Sequence, residues 1–243
     1  MGDGRHLQNK LRVCVQPLQL TNGFGIGPVS YTHLCYPERI TDELLDVIAS
    51  QPKIANYIDI PIQHCDAQIL RRMNRRGDEQ WLLELVEKIR AKVPGIAVRT
   101  TLIAGFPGET LEQFESLVGF VKQARFDRLG CFAYSAEEGT PAASMDGQLE
   151  QEEKERRAEL VMLEQMRIHD EKNQARIGST MKVVVEGYDR LGEVYFGRSE
   201  YDAPDIDGKI FFTCSKKPTM GDFLDVLIED VMDYDLIGSA VEQ

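Results

Sequence analysis

Between Tyr57 and Tyr134 the chain alternates strand-like and helix-like stretches at the spacing of βα units, and this limits its fold more than any other feature. Tyr57 to Ile62 and Ala97 to Ile103 are short runs rich in β-branched and apolar residues, and both read as strands. Leu129 to Tyr134 is a third. A short helix over Gln68 to Met73 lies between the first two strands, followed by one from about Glu79 to Val93 that stops at Pro94-Gly95. Between the second and third, Thr110 with Gln113 makes a capping box that opens a helix over Leu111 to Ala124. Strands alternating with helices in this way pair in parallel.

The flanks fit the same frame. Thr41, followed by Asp42 and Glu43, caps a helix with its stripe at Leu44, Leu45, Val47 and Ile48, where carboxylates suit the helix dipole. Gln151 to Ile177 reads as one long charged helix closed by Gly178. The tail then changes character. Short β-rich runs at Thr180 to Glu186, Glu193 to Arg198, Lys209 to Cys214 and Phe223 to Asp230 are separated by turn signals such as Asp207-Gly208. They predict a small antiparallel barrel of about five strands. Residues 1–34 show neither helical nor strand period and are expected to be a leader that does not match the rest. The expected division is therefore 1–34, 35–173 and 174–243.

Charge and cysteine content exclude several classes. The 243 residues carry a net charge of −12. Residues 175–243 hold 7 Lys+Arg against 14 Asp+Glu, a balance of −7. Such a tail steers basic partners and repels phosphate backbones. No apolar run approaches the ~20 residues of a membrane span, and no charged-then-apolar signal opens the chain, so a cytoplasmic location is expected. The five cysteines, Cys14, Cys35, Cys65, Cys131 and Cys214, form no CxxC or CxxxCxxC. Taken singly they read as reduced core thiols, and no metal ligand set or catalytic residue is assigned among them.

Three segments carry chemistry. Ile103-Ala-Gly-Phe-Pro-Gly-Glu-Thr110 leaves a strand through glycines into a capped helix, a geometry open to a ligand at the backbone or to a plain tight turn. Ile60-Pro-Ile-Gln-His-Cys65 leaves another strand end with polar groups, and its lone His-Cys pair reads as packing before it reads as a zinc site or a nucleophile dyad. Arg71, Arg72, Arg75 and Arg76 are either a solvated helix face or an anion site near the strand ends.

Taken together with Cys35-Tyr-Pro-Glu-Arg-Ile-Thr41, Arg99-Thr-Thr-Leu-Ile103 and Ala133-Tyr-Ser-Ala-Glu-Glu-Gly-Thr140, these segments resemble radical S-adenosylmethionine methylthiotransferases in order and spacing from Cys35 to about Ser239. The tail resembles their TRAM domain. Tyr195 to Gly208, with Phe126-Asp-Arg-Leu-Gly130, resembles the RimO branch. The resemblance implies an α/β fold, an incomplete radical-SAM β/α barrel, followed by a small antiparallel OB-like TRAM β-barrel. It implies methylthio transfer to the β-carbon of an aspartate in a small-subunit ribosomal protein. S-adenosylmethionine and two 4Fe-4S clusters are the implied cofactors. One cluster, held by CxxxCxxC, cleaves S-adenosylmethionine to a 5′-deoxyadenosyl radical, while the other handles sulfur.

By position in the motifs, Gln63, Arg99, Ile103 and Gly105 are the expected cofactor-binding residues, with Ile103 and Gly105 on the adenine. The cluster cysteines of the family are absent from this sequence, so the chain alone is expected to be inactive. The expected partner is a basic small-subunit ribosomal protein docked on the acidic TRAM domain, with no membrane and no direct nucleic-acid contact. Two alternatives remain: a sibling that modifies adenosine in tRNA, and a non-catalytic module that binds a ribosomal protein.

Overall fold

The computed structural model describes residues 35–241. The expected leader at 1–34, with Cys14, lies outside them.

The first body is a three-stranded parallel sheet in the order β1 (Tyr57–Gln63), β2 (Ala97–Ala104), β3 (Arg128–Ala133). Around it stand α1 (Asp42–Ser50), α2 (Ala67–Arg72), α3 (Glu79–Lys92), α4 (Leu111–Ala124) and α5 (Gln151–Gln174). The helix starts are chemically marked. The side chains of Thr41, Asp66, Asp78 and Thr110 each accept a backbone N–H of the first turn, and the expected Thr110/Gln113 capping box is present. α4 ends at Arg125 in the left-handed conformation. Arg90 of α3 donates to the Ala124 and Arg125 carbonyls, both at 2.6 Å, so one side chain satisfies two orphan acceptors of that helix end.

The strands alternate, as strands covered on one face do. Ile58, Ile60, Val98 and Leu102 point to the helices and pack with Leu82, Val86 and Ile89 of α3, Leu117, Phe120 and Val121 of α4, and Val161 and Ile168 of α5. Parallel sheets are ordinarily buried on both faces. Here the opposite face carries Tyr57 and Asp59 from β1, Arg99, Thr101 and Ile103 from β2, and Arg128 and Phe132 from β3. Phe132 is 61% exposed. This polar, partly open inner face is that of a barrel wall.

The second body is a closed barrel, β4 (Thr180–Asp189), β5 (Val194–Arg198), β6 (Ile210–Thr213), β8 (Asp235–Ala240) and β7 (Phe223–Met232) in that order. Met181, Val183, Val185, Ile210, Phe212, Val226, Ile228 and Leu236 fill it. Two details differ from the sequence reading. The β6–β8 pair is parallel, so the barrel is antiparallel at every seam but one. The long helix stops at Gln174 rather than Ile177, because Ala175 to Gly178 unwind through turns before Gly178 donates to the Ile228 carbonyl at 2.8 Å.

The two bodies are joined at the lower end of the inner face, where the strands begin. Ala203 packs with Ala55, Tyr57 and Ala97. Arg128 is paired with Asp202 and stands 3.9 Å from Asp207, and its Nη1 donates to His169 Nδ1 at 3.2 Å. Tyr57 donates its hydroxyl to Asp207 Oδ2 at 2.8 Å. Burial, then the charge of Asp207, pushes the Tyr57 phenol well above its ordinary range. Asp202 is itself shaped by Ser199, which donates from its backbone (3.2 Å) and its hydroxyl (2.6 Å). The segment 199–207 thus reaches back from the barrel and plugs the base of the sheet.

Candidate functional site at the strand ends

The opposite end of the inner face, where β1 and β2 finish, gathers the sequence-predicted residues. β1 is irregular between Ile60 and Gln63, and Gln63 ends it at φ 72°, a conformation that is costly for a residue other than glycine. Gln63 lies opposite Leu102 in the register, one residue before Ile103. Gly105 follows β2 at φ 75°, and a Cβ there would stand 2.6 Å from Lys154 Cγ. Gly105 is therefore required by the close crossing of the first turn of α5, a reason beyond ligand approach.

Beneath this turn lies a buried polar cluster that sequence reasoning did not single out. Glu109, 2% exposed, accepts the Gly105 backbone N–H in a short hydrogen bond. Its Oε1 is 3.6 Å from Arg157 and 3.8 Å from His64 Nε2. His64 Nδ1 accepts the Asp66 N–H at 3.0 Å, which places the ring proton of the neutral form on Nε2, facing Glu109. Arg157 also donates to the Glu109 carbonyl at 3.0 Å and to Glu153 at 2.7 Å. The arrangement ties the end of β1, the Gly105–Thr110 turn and α5 into one unit. The signal for it was the acid that closes the Gly-Phe-Pro-Gly-Glu run, with a basic residue one helix later.

Ile103 joins an apolar cluster of Ile69, Phe106 and Tyr134, with the Phe106 and Tyr134 rings edge to face at 5.2 Å. The Tyr134 hydroxyl, on a residue 7% exposed, has no hydrogen-bond partner among the described residues. An apolar wall, a strained backbone with Gln63 on it and an unsatisfied hydroxyl suit a small ligand with one flat apolar part and several polar groups. Arg99 is not brought to this end. It pairs with Asp59 at 3.2 Å, four residues before Ile103 and so about 13 Å lower on the strand.

The described residues do not fit an iron-sulfur cluster. Among them no three His, Cys, Asp or Glu side chains gather as a metal group. Cys35 and Cys65 are buried, and burial pushes the Cys65 and Cys131 thiols up to about 12, far from the thiolate form a cluster needs.

Comparison with known proteins agrees with this geometry. Residues 18–121 match the radical SAM superfamily, a match that begins inside the stretch set aside as a leader, and residues 177–241 match the TRAM domain. The "Ribosomal protein uS12 methylthiotransferase RimO" of Pelobacter propionicus is 44% identical over 246 residues, covering 100% of this chain and 52% of the relative. The proteins of that name from Pelotomaculum thermopropionicum and Clostridium acetobutylicum are 49% identical over 217 residues and 48% over 231. They are covered to 49% and 51%, against 88% and 95% of this chain, so the chain spans about half the length of the curated relatives it matches. It belongs to the radical SAM superfamily, among those members whose parallel sheet is followed by a TRAM barrel. Within that group its sequence is of the RimO type.

Proposed function

We propose that this chain is part of an enzyme that transfers a methylthio group to the β-carbon of an aspartate in a basic small-subunit ribosomal protein. The observation that carries the reading is the identity of 44–49% to uS12 methylthiotransferases across both bodies, the tail included. Bound S-adenosylmethionine supplies radical hydrogen abstraction in such enzymes. The contribution of this chain is to hold and shield it. Ile103 and the backbone at Gly105 offer the apolar and close-approach surfaces, and Gln63 offers polar groups beside them. Arg99 lines the same inner face lower down. No step is assigned to a cluster, because the described thiols do not fit one.

In this reading the later part of the radical SAM domain takes in residues 35–173, together with the matching residues from 18 on, and 174–243 form the TRAM domain, with the protein in the cytoplasm. The tail, at −7 over residues 175–243, supports a basic protein partner. No helix among the described residues is long and apolar enough to cross a membrane. Two measurements test the proposal on the purified chain. Fluorescence anisotropy with labelled uS12 should report binding that weakens as salt rises. Binding of folded tRNA with no binding of uS12 would favour the sibling that modifies tRNA. Iron and sulfide analysis after anaerobic reconstitution should give no stoichiometric cluster. A four-iron cluster on this chain would overturn its inactivity in isolation.

A further inference from the structure

The arginines of this acid-rich chain divide into two kinds. Eight of the fifteen among the described residues stand within 4.0 Å of a carboxylate, while Arg39, Arg176, Arg190 and the four at positions 71, 72, 75 and 76 do not. None of Arg71, Arg72, Arg75 and Arg76 has such a partner among the described residues. Two of these four are spent on backbone carbonyls: Arg75 donates to Pro61 at 2.9 Å and Arg72 to Asp146 at 3.4 Å. Arg71 and Arg76 are exposed, and neither has a hydrogen bond or ion pair among the described residues. Four of the seven unpaired arginines fall within positions 71–76, with Arg75 feeling the Glu38 carboxylate but not bridged to it, and such a concentration in a chain at −12 needs a reason.

The turn that carries Arg75 is braced. Asn74 sits in the left-handed region at φ 56°, and the Arg75 N–H bonds back to the Leu70 carbonyl at 2.7 Å. The Arg75 guanidinium lies 5.2 Å from the centroid of the Tyr36 ring, and Tyr36 is 56% exposed. One face of that ring is backed by a cation while the ring remains open to solvent. An exposed ring backed by one arginine, with three more arginines within five residues of that arginine in sequence, has the components by which proteins hold single-stranded nucleic acid: a ring to take a base and guanidinium groups to take phosphates. A solvated helix end would explain the charges but not the exposed, braced aromatic among them.

We propose that Tyr36 with Arg71, Arg72, Arg75 and Arg76 binds single-stranded RNA beside the ends of the parallel strands. The choice of RNA over DNA rests on the reading of a ribosomal substrate, whose surroundings are RNA; the surface itself does not. The acidic tail does not oppose this, because charges beyond a Debye length of about 8 Å are largely screened at physiological salt.

Anisotropy of the full 243-residue chain with a labelled single-stranded RNA of about 12 nucleotides tests it, between roughly 50 and 200 mM salt. Contacts from Arg71, Arg72 and Arg76 predict a slope of log K against log salt near about −2. The R71Q/R76Q variant should reduce it to about −0.7, and Y36A should weaken binding about 10-fold with the slope kept. These side chains are exposed, so matching thermal melts will show that the variants fold. An unchanged slope in R71Q/R76Q, unchanged affinity in Y36A, or no binding by the parent at low salt would each overturn the proposal. So would equally tight binding of duplex RNA, or a singly phosphorylated peptide that displaces the RNA stoichiometrically. A DNA strand of the same sequence that binds 10-fold tighter would overturn the assignment to RNA. Binding of uS12 is read separately, so failure here leaves that reading standing.

Discussion

Replacing Arg128 by Met isolates the force that holds the TRAM barrel against the sheet. Arg128 is 10% exposed, and the side chains of its partners Asp202 and Asp207 are 3% and 5% exposed. Removing one member of a buried ion pair costs about 3–5 kcal/mol, chiefly because the other charge stays buried without compensation. The lower end applies here. Oδ2 of Asp202 keeps both Ser199 donors, and Oδ2 of Asp207 keeps Tyr57 and the Ala203 N–H at 2.8 Å. Only the two Oδ1 atoms lose their cation. A loss of about 3 kcal/mol at the 2–4 °C per kcal/mol of a chain this size lowers the melting temperature by about 6–12 °C. The loss should be partly recovered in R128M/D202N, where one stranded charge is removed as well. Melting followed by circular dichroism checks both variants. A melt of R128M within about 1 °C of the parent, or a double variant no better than the single, would refute the buried-charge reasoning.

Two further outcomes follow from particular contacts. Gly197→Ala sets a Cβ 2.0 Å from the Val184 carbonyl oxygen and 2.9 Å from a Val183 methyl, and backbone cannot yield cheaply; urea titration should show about 3 kcal/mol lost, and an unchanged midpoint would contradict the barrel register there. Burial, then the charge of Arg128, holds the His169 imidazole below its ordinary value, so the folded protein keeps it neutral while the unfolded chain protonates near 6.5. Its contribution is complete above that pH and is lost as acidity takes the pH below it. The urea midpoint of the parent should fall more between pH 7.5 and 5.5 than that of H169Q, and equal falls would exclude His169 as the cause.

Much of the first body was legible because its signals are local. Thr41 and Thr110 cap helices by side-chain bonds to residues three positions on, and the turn at Gly105 follows from the glycine and from the strand before it. The barrel was half legible. The run Asp235–Ala240 is short and holds a glycine and a serine, so it lacks the β-branched density that marks a strand, and only its pairing with both β6 and β7 makes it one. The site divides in the same way. Gln63, Ile103 and Gly105 share one end because register places them there, whereas Arg99 belongs to the same motif but sits deeper, since position along a strand is depth in a barrel. The Glu109–Arg157 and Arg128–Asp202 pairs join residues 48 and 74 positions apart, and no local pattern announces such partners.

The inner face, left open on one side of the parallel strands, also governs how freely this sequence can drift. Val98, Thr100, Leu102 and Ala104 face packed helices, where volume is conserved and a methylene is felt. Arg99, Thr101 and Ile103 face the vault, where shape matters less than what each side chain can touch. Substitutions along β2 should therefore be tolerated with a beat of two: apolar swaps alone at Val98, Leu102 and Ala104, a hydroxyl kept at Thr100 where it bridges the Ile60 carbonyl and the Ile62 N–H, and chemical variety at the odd positions. A wall with one dry and one wet surface allows the ligand side to diversify while the scaffold behind it stays the same.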